Sequence, residues 1–253
     1  MAKNRETEIV DTVQQHSIGR SVVLHLLPGL LILAFYIIAA RIVVRFGLPT
    51  DLALCITIAF VLIPLELGYL FHQGKQENGT FSLKNIVVFR EPMPWWQYVV
   101  LLLPCAVWVL VIFFTLGPAI NSFFLERFFY WVPEWFMISS GSPNDYSQST
   151  LLLLWGFYFI ANIPGVFVEE LYFRGYLLPR ISRLGLWAPF MNAVLFSLYH
   201  FFTPWENITR ILASIPCIYL VWWKKNIYLS IILHLSVNTF GMFMVLLAIL
   251  GLI

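Results

Sequence analysis

The sequence predicts an all-α, polytopic bundle of about seven transmembrane helices, and composition, run length and aromatic placement predict it. Of 253 residues, 60% are hydrophobic and 11% are charged, whereas a soluble domain carries about 25% charged residues. Lipid, not water, is the solvent for that much apolar surface. Crossing about 30 Å of hydrocarbon takes roughly 20 mostly apolar residues, and about seven stretches of the chain have this character. Trp95 and Trp96 stand just before the third stretch, where indole rings anchor a helix at the interface.

The elements follow in order. Residues 1–20 are polar and read as a cytoplasmic tail. They contain no short apolar run with a small-residue cleavage site, so the first helix reads as a retained anchor. Residues 21–149 form an amino-terminal membrane part. Its helices are expected at Val22–Val44, Leu52–Phe71, with Glu66 inside, and Tyr98–Ile120. The aromatic segment Phe123–Met137 reads as an interfacial anchor. Ser139–Ser149 reads as a turn-rich loop. Residues 150–253 form the second part, with helices at Thr150–Pro179, Trp187–Phe202, Ile208–Trp223 and Ile227–Leu250.

Basic residues set the orientation. Lys3, Arg5, Arg20, Lys75, Lys84, Arg90, Arg180, Arg183, Lys224 and Lys225 fall on one side of this arrangement; Arg41, Arg45, Arg127 and Arg210 fall on the other. The positive-inside rule then expects a multi-pass protein of the cell (inner) membrane with its amino terminus in the cytoplasm. A net charge of +2 gives no reason to expect a nucleic-acid partner. Cys55, Cys105 and Cys217 all lie in apolar runs, without the spacing of a disulfide framework or zinc ribbon.

Ionisable groups inside lipid cost roughly 2.5–3.5 kcal/mol at a helix centre and are functional candidates for that reason. The fourth helix carries Glu169, Glu170 and Arg174. Glu170 and Arg174 are four apart, share a face and can pair. Glu169 points about 100° away and needs another partner. The fifth helix carries His200, and the seventh carries His234 and Asn238, again four apart on one face. At 1.5 Å per residue, Glu169 lies about 16 Å from Arg180, His200 about 20 Å from Trp187, and His234 about 13 Å from Lys225. Singly, each residue reads as a packing or interhelical hydrogen-bonding group. Together, a carboxylate, two imidazoles and an amide reach one level. A carboxylate and an imidazole can deprotonate a shared water and drive it onto a carbonyl carbon. A second imidazole and an amide suit the developing oxyanion. The same Glu/His/His set is also compatible with zinc, although no His-Glu-x-x-His motif is present.

Glu169-Glu170-x-x-x-Arg174, Phe196-x-x-x-His200 and His234-x-x-x-Asn238, in this order on successive membrane helices, resemble the CPBP family of intramembrane glutamic proteases, the type II CAAX prenyl endopeptidase and abortive-infection-like proteins. The resemblance spans roughly residues 150–245. It implies a metal-independent endopeptidase without cofactor. Glu169 and His200 would activate water, His234 and Asn238 would form the oxyanion hole, and Glu170 and Arg174 would support the site. The implied partners are a peptide or lipidated protein substrate, CAAX-like or otherwise membrane-associated, and the surrounding lipid. Two other readings use the same residues: a zinc-dependent membrane protease, and a non-catalytic transporter or immunity partner.

Overall fold

The computed structural model describes residues 13–138 and 145–253. Lys3, Arg5 and most of the Ser139–Ser149 loop lie outside the described residues. The described chain is helical, without strands. Its helices are α1 (Ile18–Arg45), α2 (Thr50–Asn78), α3 (Trp95–Phe128), α4 (Gln148–Leu177), α5 (Trp187–Tyr199), α6 (Asn207–Lys224) and α7 (Tyr228–Ile249). Each corresponds to one of the helices expected from the sequence. Five of them (α1–α4 and α7) are long and apolar enough to cross a membrane. The chain is thus a multi-pass membrane protein. With 13 residues, α5 is about 20 Å long, and the 18 residues of α6 reach about 27 Å.

Local chemistry explains several boundaries. The Ser17 hydroxyl accepts from the Arg20 backbone N–H at 3.1 Å and starts α1. The Ser147 hydroxyl accepts from the Thr150 backbone N–H at 3.2 Å and starts α4. Both satisfy a donor that has no partner inside a helix. Gly79, at φ 72°, ends α2 in the left-handed region, which glycine adopts without steric cost.

The third helix runs longer than expected. It begins at Trp95 and continues through a π-helical turn, Ile112–Leu116, to Phe128. Residues 123–128 of the expected interfacial segment are therefore the end of α3. The rest contains a short 3₁₀ turn, Glu134–Phe136, fastened across α1 and α2. There the Tyr36 hydroxyl donates to the Phe136 carbonyl at 2.8 Å, and the Thr50 hydroxyl donates to the Met137 carbonyl at 2.7 Å.

Neighbouring helices follow the order α1–α2–α4–α7–α3–α6–α5, and α5 packs back against α1. The apolar outer faces, including Val23, Leu27 and Ile38 of α1 and Val99, Val100 and Leu103 of α3, are exposed as lipid requires. Inside the ring lies a cavity of about 330 Å³ to which all seven helices contribute.

Candidate active site

The six polar residues of the three motifs (Glu169, Glu170, Arg174, His200, His234 and Asn238) line this cavity. The local backbone explains how three helices deliver them. In α4 the regular helix ends at Glu170, and residues Leu171–Leu177 form a wider π-helical turn. Such turns are rare and cluster at functional sites. Partners from outside α4 hold this one. The Tyr172 hydroxyl donates to the Leu24 carbonyl at 2.7 Å, Asn192 Nδ2 donates to the Phe173 carbonyl at 3.0 Å, and the Val88 N–H donates to the Gly175 carbonyl at 3.0 Å. Asn192 also donates to His25 Nε2 at 3.1 Å, while His25 Nδ1 donates to the Ser21 carbonyl at 2.7 Å. A buried histidine of α1 thereby braces the turn that carries Arg174.

His200 sits differently from the sequence expectation. It caps α5 at φ −80°, ψ 58° and is not inside the helix. Its Nδ1 lies 2.9 Å from the Phe196 carbonyl, one of the last-turn carbonyls that a helix leaves without an internal partner. Donation to that oxygen fixes the tautomer and leaves the Nε2 lone pair free. Nε2 faces Glu169 Oε1 at 3.9 Å. That distance is too long for a direct hydrogen bond and suits a bridging water.

Glu170 has the partner expected from spacing and a second from another helix. Its Oε2 lies 3.3 Å from Arg174 Nε, and its Oε1 accepts from His234 Nδ1 at 2.9 Å. The two imidazoles therefore face different carboxylates, His200 towards Glu169 and His234 towards Glu170. Phe196 packs among them. The Arg174 guanidinium lies 3.8 Å from its ring centroid, and the His200 and His234 rings meet it edge to face at 5.0 and 6.3 Å. Asn238 Nδ2 donates to Asn162 Oδ1 at 3.3 Å.

Sequence reasoning missed Asn162, noted Glu66 inside the second helix without a settled role, and gave Arg210 no part in the site. Asn162 precedes Glu169 by seven residues, two helical turns, so the same face count would have found it. Glu66 of α2 is fully buried, and its Oε1 accepts from the Tyr199 hydroxyl at 2.8 Å. It does not line the cavity. Arg210, inside the helix expected at Ile208–Trp223 but given no role at the site, stands in the first turn of α6. It lines the cavity, pairs with Glu206 at 2.8 Å and donates to the Thr203 hydroxyl at 2.8 Å. Among the described residues, no group of three or more His, Cys, Asp or Glu side chains is arranged to hold a metal ion.

A family model, type II CAAX prenyl endopeptidase Rce1-like, matches residues 149–240. The match begins with α4, ends inside α7 and takes in all three motifs. Helices α1–α3 lie outside it. No curated protein and no solved structure matches the chain.

Proposed function

We propose that this chain, whose residues 149–240 carry the type II CAAX prenyl endopeptidase Rce1-like family segment, is an intramembrane endopeptidase that hydrolyses a peptide bond with a Glu169/His200-activated water. The observation that carries this reading is the 3.9 Å separation of Glu169 Oε1 and His200 Nε2 on the wall of the cavity. One water fits between a carboxylate oxygen and an imidazole lone pair at that spacing. As its oxygen bonds to the substrate carbonyl carbon, its proton passes to this pair. The carbonyl oxygen becomes an oxyanion facing Asn238 and His234. When the C–N bond breaks, the same pair returns the proton to the leaving amine, and the two products are a carboxylic acid and an amine.

The roles of the remaining groups follow from their bonds. The second N–H of the Asn238 amide is available to the oxyanion. The bond from His234 Nδ1 to Glu170 Oε1 holds the second imidazole in place on the cavity wall. Arg174 balances Glu170. The donor arrangement supports metal-free chemistry. Zinc would need both histidines and a carboxylate about 2.0–2.2 Å from one point, and here the histidines turn to separate carboxylates. Substrates are CAAX-like, prenylated or other small membrane-associated peptides, which the apolar walls formed by Ile58, Leu62, Val109 and Phe113 favour. The positive-inside pattern supports an amino terminus in the cytoplasm of the cell (inner) membrane.

The test uses the purified chain in detergent and an internally quenched peptide ending in a farnesylated CAAX sequence, with the unprenylated peptide as a second arm. Glu169→Ala and His200→Ala are each expected to abolish cleavage while the thermal unfolding transition survives. The reading is falsified if both folded variants cleave at the parent rate.

A further inference from the structure

We propose that Asn162 is a positioning residue that holds the Asn238 amide with its nitrogen towards the reacting carbonyl; this rests on the oxyanion role given to Asn238 above. Asn162 stands two turns before Glu169 on the same face of α4. It lines the cavity together with Asn238 and is 7% exposed. Its Oδ1 accepts from Asn238 Nδ2 at 3.3 Å across the α4–α7 interface.

Donor count and direction decide which amide rotamer is productive. A carboxamide has two nearly isosteric ends, one with two donors and one with acceptor lone pairs only. On a cavity wall, rotation by 180° about the last side-chain bond exchanges them. The rotated amide would turn its carbonyl oxygen on a developing oxyanion and repel it. An acceptor fixed beside the nitrogen end selects the productive rotamer. Asn162 Oδ1 is that acceptor. It takes one of the two Asn238 N–H groups and leaves the second for the substrate. Preorganised donors of this kind gain their effect because no reorientation is needed when charge develops. A residue acting in this way changes kcat through Asn238 and leaves ground-state binding nearly untouched.

A purely architectural α4–α7 tie would lower stability and affect cleavage independently of Asn238. A double-mutant cycle with the farnesylated CAAX peptide separates the two. Asn162→Leu is expected to lower kcat roughly ten-fold with KM within about two-fold of the parent. Asn238→Ala is expected to lower kcat about 10²–10³-fold. Adding Asn162→Leu to Asn238→Ala is expected to change kcat by no more than about two-fold, because the partner it orients is gone. Asn162→Ser keeps an acceptor oxygen and is expected to fall between parent and Asn162→Leu; it carries the test if the leucine variant does not fold. A folded Asn162 variant with parental kcat, or a full multiplicative loss in the Asn238→Ala background, overturns the inference. Parental kcat in Asn238→Ala overturns instead the oxyanion reading on which it rests.

Discussion

Glu169 and Glu170 are adjacent in the chain and have different surroundings. Glu170 sits between Arg174 and His234 with its side chain 1% exposed, whereas Glu169 meets His200 only across a gap wide enough for a water. Removing one partner of a buried pair leaves the other charged and unpaired, at a cost of about 3–5 kcal/mol. Glu170→Ala is therefore expected to lower the thermal unfolding midpoint in detergent markedly, and Glu169→Ala to lower it little. Equal midpoints for the two variants would contradict the assignment of Glu170 as the structural carboxylate. The Glu170–Arg174 pair was legible in the sequence because helical spacing alone brings residues four apart together. The Glu170–His234 bond was not, because spacing within a helix says nothing about which neighbour its carboxylates meet. Asn162 was legible in principle by the same periodicity.

Helix positions were read well where a long apolar run defined them, as in α1, α4 and α7. Features made by contact between elements were not. The π-helical turn of α4, the early end of α5 at His200 and the extension of α3 depend on partners far away in the chain. Gly29 shows how such a contact acts on the site. A Cβ at this position of α1 would lie 2.1 Å from the Tyr199 carbonyl oxygen and 2.9 Å from its carbon. The backbone preceding His200 thus rests directly against α1. Gly29→Leu forces these helices apart, and if His200 acts as proposed, about a ten-fold or greater loss of cleavage is expected from displacing it by roughly 1 Å. The same substitution at Gly19, where a Cβ meets nothing within 4 Å, is expected to leave cleavage unchanged.

The segment before α1 is also pinned. The His16 N–H donates to the Arg180 carbonyl at 2.7 Å, and the Gln15 side chain bonds the Pro179 carbonyl at 3.1 Å and the Arg183 N–H at 3.2 Å. Burial, then the Arg20 and Arg180 charges, lower the His16 pKa from 6.5 to about 3. Between those values the unfolded chain binds the proton and the folded chain does not. The contribution of His16 to stability is therefore full above pH 6.5 and is lost progressively as pH falls towards 3. Thermal unfolding midpoints are expected to drop between pH 7 and pH 4, and His16→Gln is expected to flatten that slope. An unchanged slope in the variant would contradict the assignment.

At the scale of the molecule, the ring of seven helices explains why a family segment confined to residues 149–240 does not account for the site alone. The α4 turn rests on α1 through His25 and Asn192, His200 is followed through Gly29 and Tyr199, and Glu66 of α2 receives the Tyr199 hydroxyl. Composition made the membrane bundle legible, and the order of three short motifs made the polar residues legible as a set. The enclosing role of α1–α3 was not, since apolar helices carry no signal of what they surround.

Hydrolysis by a Glu169-dependent, metal-free site is the reading proposed for this chain. Its most direct test is cleavage of the farnesylated CAAX peptide by the purified chain after exhaustive chelation, beside Glu169→Gln. Chelation is expected to leave the rate unchanged and the substitution to abolish it. Parental cleavage by folded Glu169→Gln, or activity lost on chelation and restored by zinc, would contradict it.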